Sequence, residues 1–357
     1  MIAGAVLILI AGTGCILAFE GEIDRLLNRN LMTVSPGTRT LPLADLADQV
    51  RKSYPKARVA SFALPMKPDQ ACVATISRGR NVFVDPYTGK VLGDRTPGGS
   101  FVTKVRQLHA KLLLGYVGEQ IVGYSSLVLV LISITGLILW WPRKLMKFNP
   151  KSSWKRINFD LHSATGFFAS LFVMILALTG MVITFSTTAI PLIFKVTGDP
   201  PPLSVLPPYT ALEGARPISA DQLLQLAVKT VPEAKTSVVP VPRVDDYPYV
   251  DVIKWLPGDD GRGHTTITFN EYTGEVARIQ ESRHLPPGTA ALNLNRALHF
   301  GEVYGLPTRI LASLVSFTLL LQIFTGFTIW FVRYRNTRKA KARKKAMLAQ
   351  EPMVMSS

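Results

Sequence analysis

The chain has 357 residues, of which 48% are hydrophobic, and its formal net charge is +16. Its mean hydropathy of +0.23 is too high for an ordinary soluble protein, yet the chain contains 40 Lys and Arg residues. This combination excludes an ordinary soluble protein and indicates a membrane protein with sizeable water-exposed parts.

Four apolar segments are long enough to cross the hydrocarbon core of a membrane, which takes about 20 helical residues. They lie near residues 1–19, 119–141, 163–185 and 310–332. Cys15 lies in the first segment and Cys72 lies outside all four, so we expect two unpaired thiols. Lipoprotein cleavage at Cys15 is the alternative, and the lack of Lys or Arg before the apolar run disfavours it.

Two basic segments set the predicted orientation of these helices. Residues 142–156 hold six Lys and Arg residues and no acidic residue, and residues 333–345 hold eight basic residues. The positive-inside rule places both in the cytoplasm, so two excursions, near 20–108 and 186–305, lie outside. Binding to anionic lipid of the inner leaflet explains the positive charge, and a nucleic-acid partner is not needed.

The four apolar segments share a sequence pattern, in which Thr-Gly is followed by an aromatic residue six positions after the Thr. The copies are Thr13-Gly14 with Phe19, Thr135-Gly136 with Trp141, Thr179-Gly180 with Phe185, and Thr325-Gly326 with Phe331. We interpret the glycines as positions where helix backbones approach closely, because small residues promote helix packing in lipid.

The two outer excursions also resemble each other. "VFVDPYTGKVLGD" from Val82 matches "ITFNEYTGEVARI" from Ile267, and each pattern predicts a strand, a turn and a strand. An amphipathic helix precedes each, and Ser219 with Gln222 predicts a capping box at the second one. A helix followed by a small antiparallel sheet makes an α+β module.

These repeats predict a membrane α-helical fold with four transmembrane helices in two tandem repeats and two outer α+β modules. The predicted transmembrane helices fall within 1–20, 105–142, 159–186 and 295–332, where the second and fourth ranges include an interfacial segment. The modules fall within 21–104 and 187–294, and the cytoplasmic loop and tail within 143–158 and 333–357.

Three of the five histidines occupy repeat-related positions at the membrane edges. His109 and His299 each lie 26 residues before the Thr of a Thr-Gly pair, on the outer side. His162 lies 17 residues before Thr179 on the inner side, and its counterpart in the first segment would precede residue 1. We therefore expect either a longer native N-terminus that carries basic residues and a fourth histidine, or a first copy that has lost this histidine. The lack of basic residues before the first segment favours the longer N-terminus.

Paired histidines on facing helices are typical of bis-imidazole ligation of a b-type haem, here by His109 and His299. A second haem on the inner side would use His162 and the missing histidine. The alternative is that these side chains reach towards water or hydrogen-bond a neighbouring helix. His264 and His284 lie in outer loops without repeat partners, and we expect them to be solvated.

Charged residues stand close to the outer histidines in the sequence. Arg106, Lys111 and Arg296 are candidates to pair with haem propionates or with an anionic chelate. Glu119 and Gln120 either mark the membrane interface or face a propionate or a proton path. Nicotinamide, nucleotide, zinc-protease and serine-hydrolase motifs are missing from the sequence, so electrons must come from a partner or from membrane quinol.

The sequence resembles the PepSY-associated transmembrane family, also called iron-regulated membrane proteins, over essentially its full length. The matching segments are "LHAKLLLG", "LILWWPR", "DLHSATGFF", "YTGKV", "YTGEV", "ALHFGEVYG" and "FTIWFVRY". The resemblance implies a bacterial inner-membrane protein with cytoplasmic termini and two periplasmic PepSY-like modules, similar to haem-containing ferric-siderophore reductases. It matches His109, His162 and His299 to the family's haem ligands, with one or two b-type haems.

The hypothesis that follows is electron transfer across the membrane. A cytoplasmic reductase or quinol supplies electrons on the inner side, and a ferric siderophore or other ferric chelate, docked between the modules, is reduced by the outer haem. Fe2+ binds hard oxygen chelators more weakly than Fe3+, so reduction frees the iron. One alternative is a haem-free, membrane-anchored regulator whose modules bind a periplasmic protein or peptidase. A chelate permease is less favoured, because only Glu119 and Gln322 would line a polar path.

Overall fold

The computed structural model describes residues 2–141, 151–199, 216–243 and 247–350. Residues 143–150 of the predicted cytoplasmic loop and 351–357 of the predicted tail lie outside the described residues. The described α-helices are α1 (Ile2–Leu17), α2 (Glu20–Leu27), α3 (Arg29–Met32), α4 (Leu43–Ser53), α5 (Phe101–Lys111), α6 (Gly115–Trp140), α7 (Trp154–Thr184), α8 (Ser186–Thr197), α9 (Ala220–Thr230), α10 (Pro287–Phe300) and α11 (Leu306–Gln350).

Three of these helices are each long and apolar enough to cross a membrane, namely α6, α7 and α11. They have 26, 31 and 45 residues and contain the second, third and fourth predicted apolar segments. The first segment forms α1, which has 16 residues and is followed by α2 after a bend of 70°. The bend comes where Glu20 and Glu22 begin α2, because carboxylates are costly in hydrocarbon.

The long helices pack into a bundle in which α7 contacts α6 and α11, and α1 contacts α11 and, less extensively, α6. Gly123 permits the close approach of α6 to α7, since a Cβ atom there would lie 2.5 Å from Cζ of Phe185. Ala169 and Val173 of α7 form a buried contact with Val315 of α11, and Leu129 of α6 packs against it. The helices α1 and α7 thus lie on opposite sides of the bundle.

The described strands form one antiparallel sheet. They are β1 (Val59–Ala63), β2 (Cys72–Ile76), β3 (Arg80–Val84), β4 (Val91–Arg95), β5 (Lys235–Pro240), β6 (Tyr249–Trp255), β7 (Thr265–Asn270) and β8 (Val276–Gln280). Their order is β4-β3-β2-β1-β5-β6-β7-β8. The first four belong to the first excursion and the last four to the second, so the two predicted modules share a single eight-stranded sheet.

The modules meet where β1 pairs with β5, and Phe62 lies opposite Val239 at the centre of this pairing. Both residues are fully buried in a core to which α4 and α9 contribute Leu46 and Leu223. Asp221 of α9 joins the two helices, because its carboxylate oxygens accept hydrogen bonds of 2.7 and 2.9 Å from the first two backbone N–H groups of α4. The predicted capping box at the start of α9 is confirmed.

Helix α2 connects the sheet to the membrane bundle through consecutive ion pairs. On the side of the sheet, Asp24 pairs with Arg95 at 2.7 Å and Arg25 pairs with Asp69. On the side of the bundle, Glu20 pairs with Arg106 of α5 at 2.6 Å, and Glu22 pairs with Arg309 of α11 at 2.5 Å. The guanidinium of Arg309 holds the pKa of the Glu22 carboxyl below its usual range. The sequence placed this helix inside the first module, whereas it contacts both parts of the protein.

A designed disulfide tests the shared sheet. Ala63 and Val238 lie opposite each other on β1 and β5, and such residues have Cα atoms roughly 4.5–5.5 Å apart, which a disulfide spans. We expect the variant Ala63→Cys with Val238→Cys, in a Cys15→Ala background, to cross-link on mild oxidation and to change its electrophoretic mobility. Cys72 does not compete, because burial raises the pKa of its thiol to about 12.

The matched control combines Ala63→Cys with Lys235→Cys. Lys235 lies three residues before Val238 on the same strand, about 10 Å away, so this pair is expected to remain reduced. Two separate sheets would be indicated by equal cross-linking of both pairs or by none in either.

Candidate functional site

His109 and His299 lie in the last turns of α5 and α10, the two short helices that precede α6 and α11. Each of them ends in a left-handed turn of the backbone. Leu112 and Leu113 adopt left-handed backbone conformations at the first turn, which costs roughly 1–2 kcal/mol for each non-glycine residue. Gly301, with φ of 71°, makes the second turn without that cost. Both turns place a histidine beside the long apolar helices.

The imidazoles of His109 and His299 meet, although their helices belong to different excursions. Their ring centroids are 6.2 Å apart and their planes are inclined by 56°. Two imidazoles that bind one metal ion from opposite sides through nitrogen, at about 2.0 Å, have centroids roughly 6 Å apart. The spacing therefore fits a metal ion shared between the two rings.

Each of these rings is held through its Nδ1 atom. Nδ1 of His109 lies 3.0 Å from Oγ1 of Thr13 and 3.0 Å from the carbonyl oxygen of Ile10. Nδ1 of His299 lies 3.1 Å from Oγ1 of Thr179 and 3.1 Å from the carbonyl oxygen of Leu176. Within the described ranges no hydrogen bond involves Nε2 of either ring. Nε2 is thus the nitrogen available to a ligand.

The Thr-Gly pairs explain how a ring fits against a membrane helix. A Cβ atom on Gly180 would lie 3.0 Å from Cε1 of His299, and one on Gly14 would lie 3.4 Å from Cε1 of His109. We call a Thr-Gly pair that contacts an imidazole in this way a Thr-Gly seat. The sequence interpretation, in which these glycines bring helix backbones together, is wrong for Gly180, because an imidazole occupies the space. Gly14 faces both His109 and α11, since Oγ of Ser316 would lie 3.3 Å from its Cβ position.

His162 occupies a third Thr-Gly seat, on α11. Its Nδ1 atom lies 2.8 Å from Oγ1 of Thr325, and a Cβ atom on Gly326 would lie 3.1 Å from its Cε1. The fourth pair, Thr135-Gly136, is exposed and no atom lies within 4 Å of the Cβ position of its glycine. The described residues form no cluster of three or more His, Cys, Asp or Glu side chains suited to a metal ion. The inner haem site with two histidines stays a prediction.

Two asparagines that the sequence analysis missed anchor two of the seats. Nδ2 of Asn295 donates to the carbonyl oxygen of Thr179 at 3.3 Å, and Nδ2 of Asn158 donates to that of Thr325 at 3.1 Å. Each asparagine lies four residues before its histidine, one helical turn away. Alignment of "NRALH" with "NFDLH" would have found them, and "VRQLH" has Val105 at that position.

The three candidate cations near the histidines already have carboxylate partners. The pairs are Arg106 with Glu20 at 2.6 Å, Lys111 with Glu119 at 3.0 Å and Arg296 with Glu302 at 3.3 Å. Glu119 is therefore the partner of a lysine in α5. An anionic group would have to displace a carboxylate from each of them, and their pairing with a propionate or a chelate stays a prediction.

A groove of about 440 Å3 lies between α1 and α6, and its walls are almost entirely apolar. Val6 lines it from α1, and Gln120 and Tyr124 line it from α6. His109 and His299 are not among its lining residues. Gln120 therefore faces this groove and lies apart from the imidazole pair.

The two remaining histidines differ from each other. His284 is exposed and its Nδ1 lies 3.1 Å from the carboxylate of Glu281, as expected for a solvated loop residue. His264 is half-buried, with its ring centroid 5.7 Å from that of Trp255, and burial lowers its pKa. The prediction of a solvated side chain is therefore wrong for His264, which packs against the sheet.

Comparison with known proteins gives the family of the chain. The sequence pattern of the PepSY-associated TM region matches residues 1–333, which is nearly the whole chain. The chain belongs to this family. Together with the apolar helices, this makes it a multi-pass membrane protein. No protein among those with curated descriptions matches the chain.

A pair of glycine substitutions tests the Thr-Gly seats. Gly180→Ala places a methyl group against the ring of His299, so we expect it to lower the free energy of unfolding by about 1–3 kcal/mol. Gly136→Ala meets no atom and is expected to be neutral or stabilising by up to about 1 kcal/mol. Apparent melting temperatures in detergent measure both, and a larger loss for Gly136→Ala would contradict the assignment.

Proposed function

We propose that this protein binds b-type haem and passes electrons across the bacterial inner membrane to a ferric chelate of the siderophore class. On this proposal the chain is a ferric-chelate reductase. The observation that carries it is the imidazole pair of His109 and His299, with ring centroids 6.2 Å apart beside apolar helices. Both rings are partly buried, and histidines that face each other between membrane helices are functional more often than structural.

The donor set of this site suits a haem iron. Histidines that bind metal through one nitrogen hold the other against a carbonyl or similar acceptor, and Nδ1 of both residues meets this condition. His109 and His299 would hold the haem iron through Nε2. When bound, a b-type haem supplies a one-electron step between Fe3+ and Fe2+.

The protein's own residues hold and shield the two imidazoles. His109 is fixed against α1 and His299 against α7, so neither ring can turn without losing its hydrogen bonds. Phe300 packs edge-on against His299, with ring centroids 5.8 Å apart. Apolar surroundings and limited access of water are among the features by which a protein sets a redox potential.

The proposed topology has four spans, made of two tandem repeats, with both ends of the chain in the cytoplasm. The strand order supports the repeat, because β1 to β4 and β5 to β8 follow one another outward from the centre of the sheet in the same sequence. The similar Nδ1 contacts of His109 and His299 also support it. Helix α1 supplies the fourth span on this view, and α2 lies outside the membrane. The sheet then lies in the periplasm as two PepSY-like modules.

Electrons would enter from the cytoplasmic side, from a reductase or from quinol. His162 offers one imidazole there, held by Thr325 and anchored by Asn158. On the proposed topology it lies at the opposite membrane face from the imidazole pair. A second haem at this level needs one more axial ligand, which the described histidines do not supply.

The acceptor would be a ferric chelate in contact with the sheet on the periplasmic side. Hard oxygen chelators hold Fe2+ less tightly than Fe3+, so a one-electron reduction is sufficient to release iron. The chain belongs to a family that is defined by its association with PepSY modules, and such modules also serve as interaction domains. A regulatory protein without haem is therefore the competing proposal.

Substitution of the outer histidines tests the haem site. We expect the purified protein to show reduced absorption bands of a six-coordinate b-type haem, and His109→Ala and His299→Ala each to lose them, because one axial ligand is removed. His264→Ala and His284→Ala are matched controls outside the pair and should retain them. Haem content per chain and reduced-minus-oxidised spectra are the measurements.

The same variants separate the two proposals. An electron-transfer protein loses reduction of a ferric chelate in reconstituted vesicles together with its haem bands. A colourless wild-type protein, purified from cells supplied with haem, would instead favour the regulatory role, and so would full haem retention in both histidine variants.

A further inference from the structure

We infer that Thr13 and Thr179 are positioning residues that fix His109 and His299 as the tautomer protonated at Nδ1, with the Nε2 lone pair free to bind a ligand. The tautomer follows from the hydrogen bonds of this chain alone. Its consequence for bound iron rests on the proposed haem-binding function. The inference therefore has one part that holds without haem and one that requires it.

The hydroxyl group of Thr13 already donates a hydrogen bond within its own helix. Oγ1 of Thr13 lies 2.6 Å from the carbonyl oxygen of Leu9, one turn earlier in α1, and this carbonyl can only accept. The hydroxyl therefore donates to Leu9 and presents a lone pair to Nδ1 of His109 at 3.0 Å. The second neighbour of Nδ1, the carbonyl oxygen of Ile10, is also an acceptor. Nδ1 must carry the proton.

His299 is held by the same arrangement of hydrogen bonds. Oγ1 of Thr179 lies 2.7 Å from the carbonyl oxygen of Ile175, so its proton points away from the imidazole. Nδ1 of His299 then faces two acceptors, this hydroxyl oxygen and the carbonyl oxygen of Leu176, both at 3.1 Å. Two independent sites thus reach the same tautomer by the same arrangement.

The other two Thr-Gly pairs provide an internal comparison. Oγ1 of Thr325 lies 2.7 Å from the carbonyl oxygen of Leu321 and 2.8 Å from Nδ1 of His162, so the third histidine follows the same rule. Oγ1 of Thr135 lies 2.9 Å from the carbonyl oxygen of Leu131, and the pair to which it belongs contacts no imidazole. Thr135 is therefore a matched control for substitutions of the other threonines.

The hydroxyls also affect how strongly Nε2 donates. An acceptor bonded to Nδ1–H raises the basicity of the opposite nitrogen and keeps the ring in one orientation. A ligand of this kind favours the ferric over the ferrous state. Removal of one acceptor from each ring is expected to weaken haem binding by 10- to 100-fold, the usual effect of losing such a partner, and to move the midpoint potential to more positive values.

The first experiment uses the full chain in detergent without haem. Nitrogen-15 labelling of the histidines, with spectra of the single variants His109→Gln and His299→Gln for assignment, reports the tautomer of each ring directly. We expect a proton on Nδ1 and none on Nε2 for both residues at neutral pH. Protonation at Nε2 in either ring would overturn the inference, whether or not the protein binds haem.

The second experiment compares Thr13→Val and Thr179→Val with Thr13→Ser and Thr179→Ser. Valine keeps the shape and removes the acceptor, whereas serine restores it. We expect weaker haem binding and a more positive midpoint potential for the valine variants, with wild-type values for the serine variants and for Thr135→Val. Unchanged affinity and potential in haem-loaded valine variants would refute the positioning role while leaving the proposed function intact.

A wild-type protein without haem would refute the proposed function and leave the tautomer to the first experiment. Should a valine variant fail to fold, the serine variant and the nitrogen-15 spectra still decide the assignment.

Discussion

Burial of imidazoles against apolar helices is the constraint on which the site depends, because each ring brings a polar N–H group into surroundings with little water. A Thr-Gly seat meets two demands at once. The glycine leaves room for the ring, and the threonine supplies an acceptor whose own proton is taken by the preceding turn of its helix. The position of each histidine is consequently fixed by a helix other than its own, so the site exists only when the bundle is assembled.

The distance between His109 and His299 depends on both halves of the chain. The first ring rests on α1 and the second on α7, and these helices are connected through α6 and α11. Helix α2 adds a second connection, since Glu20 and Glu22 bind α5 and α11. Outside the bundle, the pairing of β1 with β5 joins the modules. The helix contacts, the ion pairs of α2 and the pairing of β1 with β5 therefore act together to set the distance between the two imidazoles.

Much of this arrangement could be predicted from the sequence, and the exceptions have physical reasons. Hydropathy identified the long helices, and the 26-residue spacing identified His109 and His299 as equivalents. Hydropathy showed where the apolar run ends, at Phe19, but it could not show that the chain continues there as a second helix inclined by 70°. The pairing of β1 with β5 leaves no pattern in the sequence of either strand, so the sequence predicted two separate modules and not one shared sheet. The role of Asn295 appears only when the histidine segments are aligned.

The charges around the imidazole pair are compensated within the protein. Arg106, Lys111 and Arg296 each lie beside a carboxylate, and their side chains remain about half exposed. Exposed ion pairs of this type contribute about 0–1 kcal/mol each, so exchanging a carboxylate for another anion costs little. On the proposed function, haem propionates or an anionic chelate would therefore compete for these cations without a large penalty. On the same proposal, the partly buried imidazoles would determine where iron is held, and the exposed ion pairs would leave the surrounding charge adjustable.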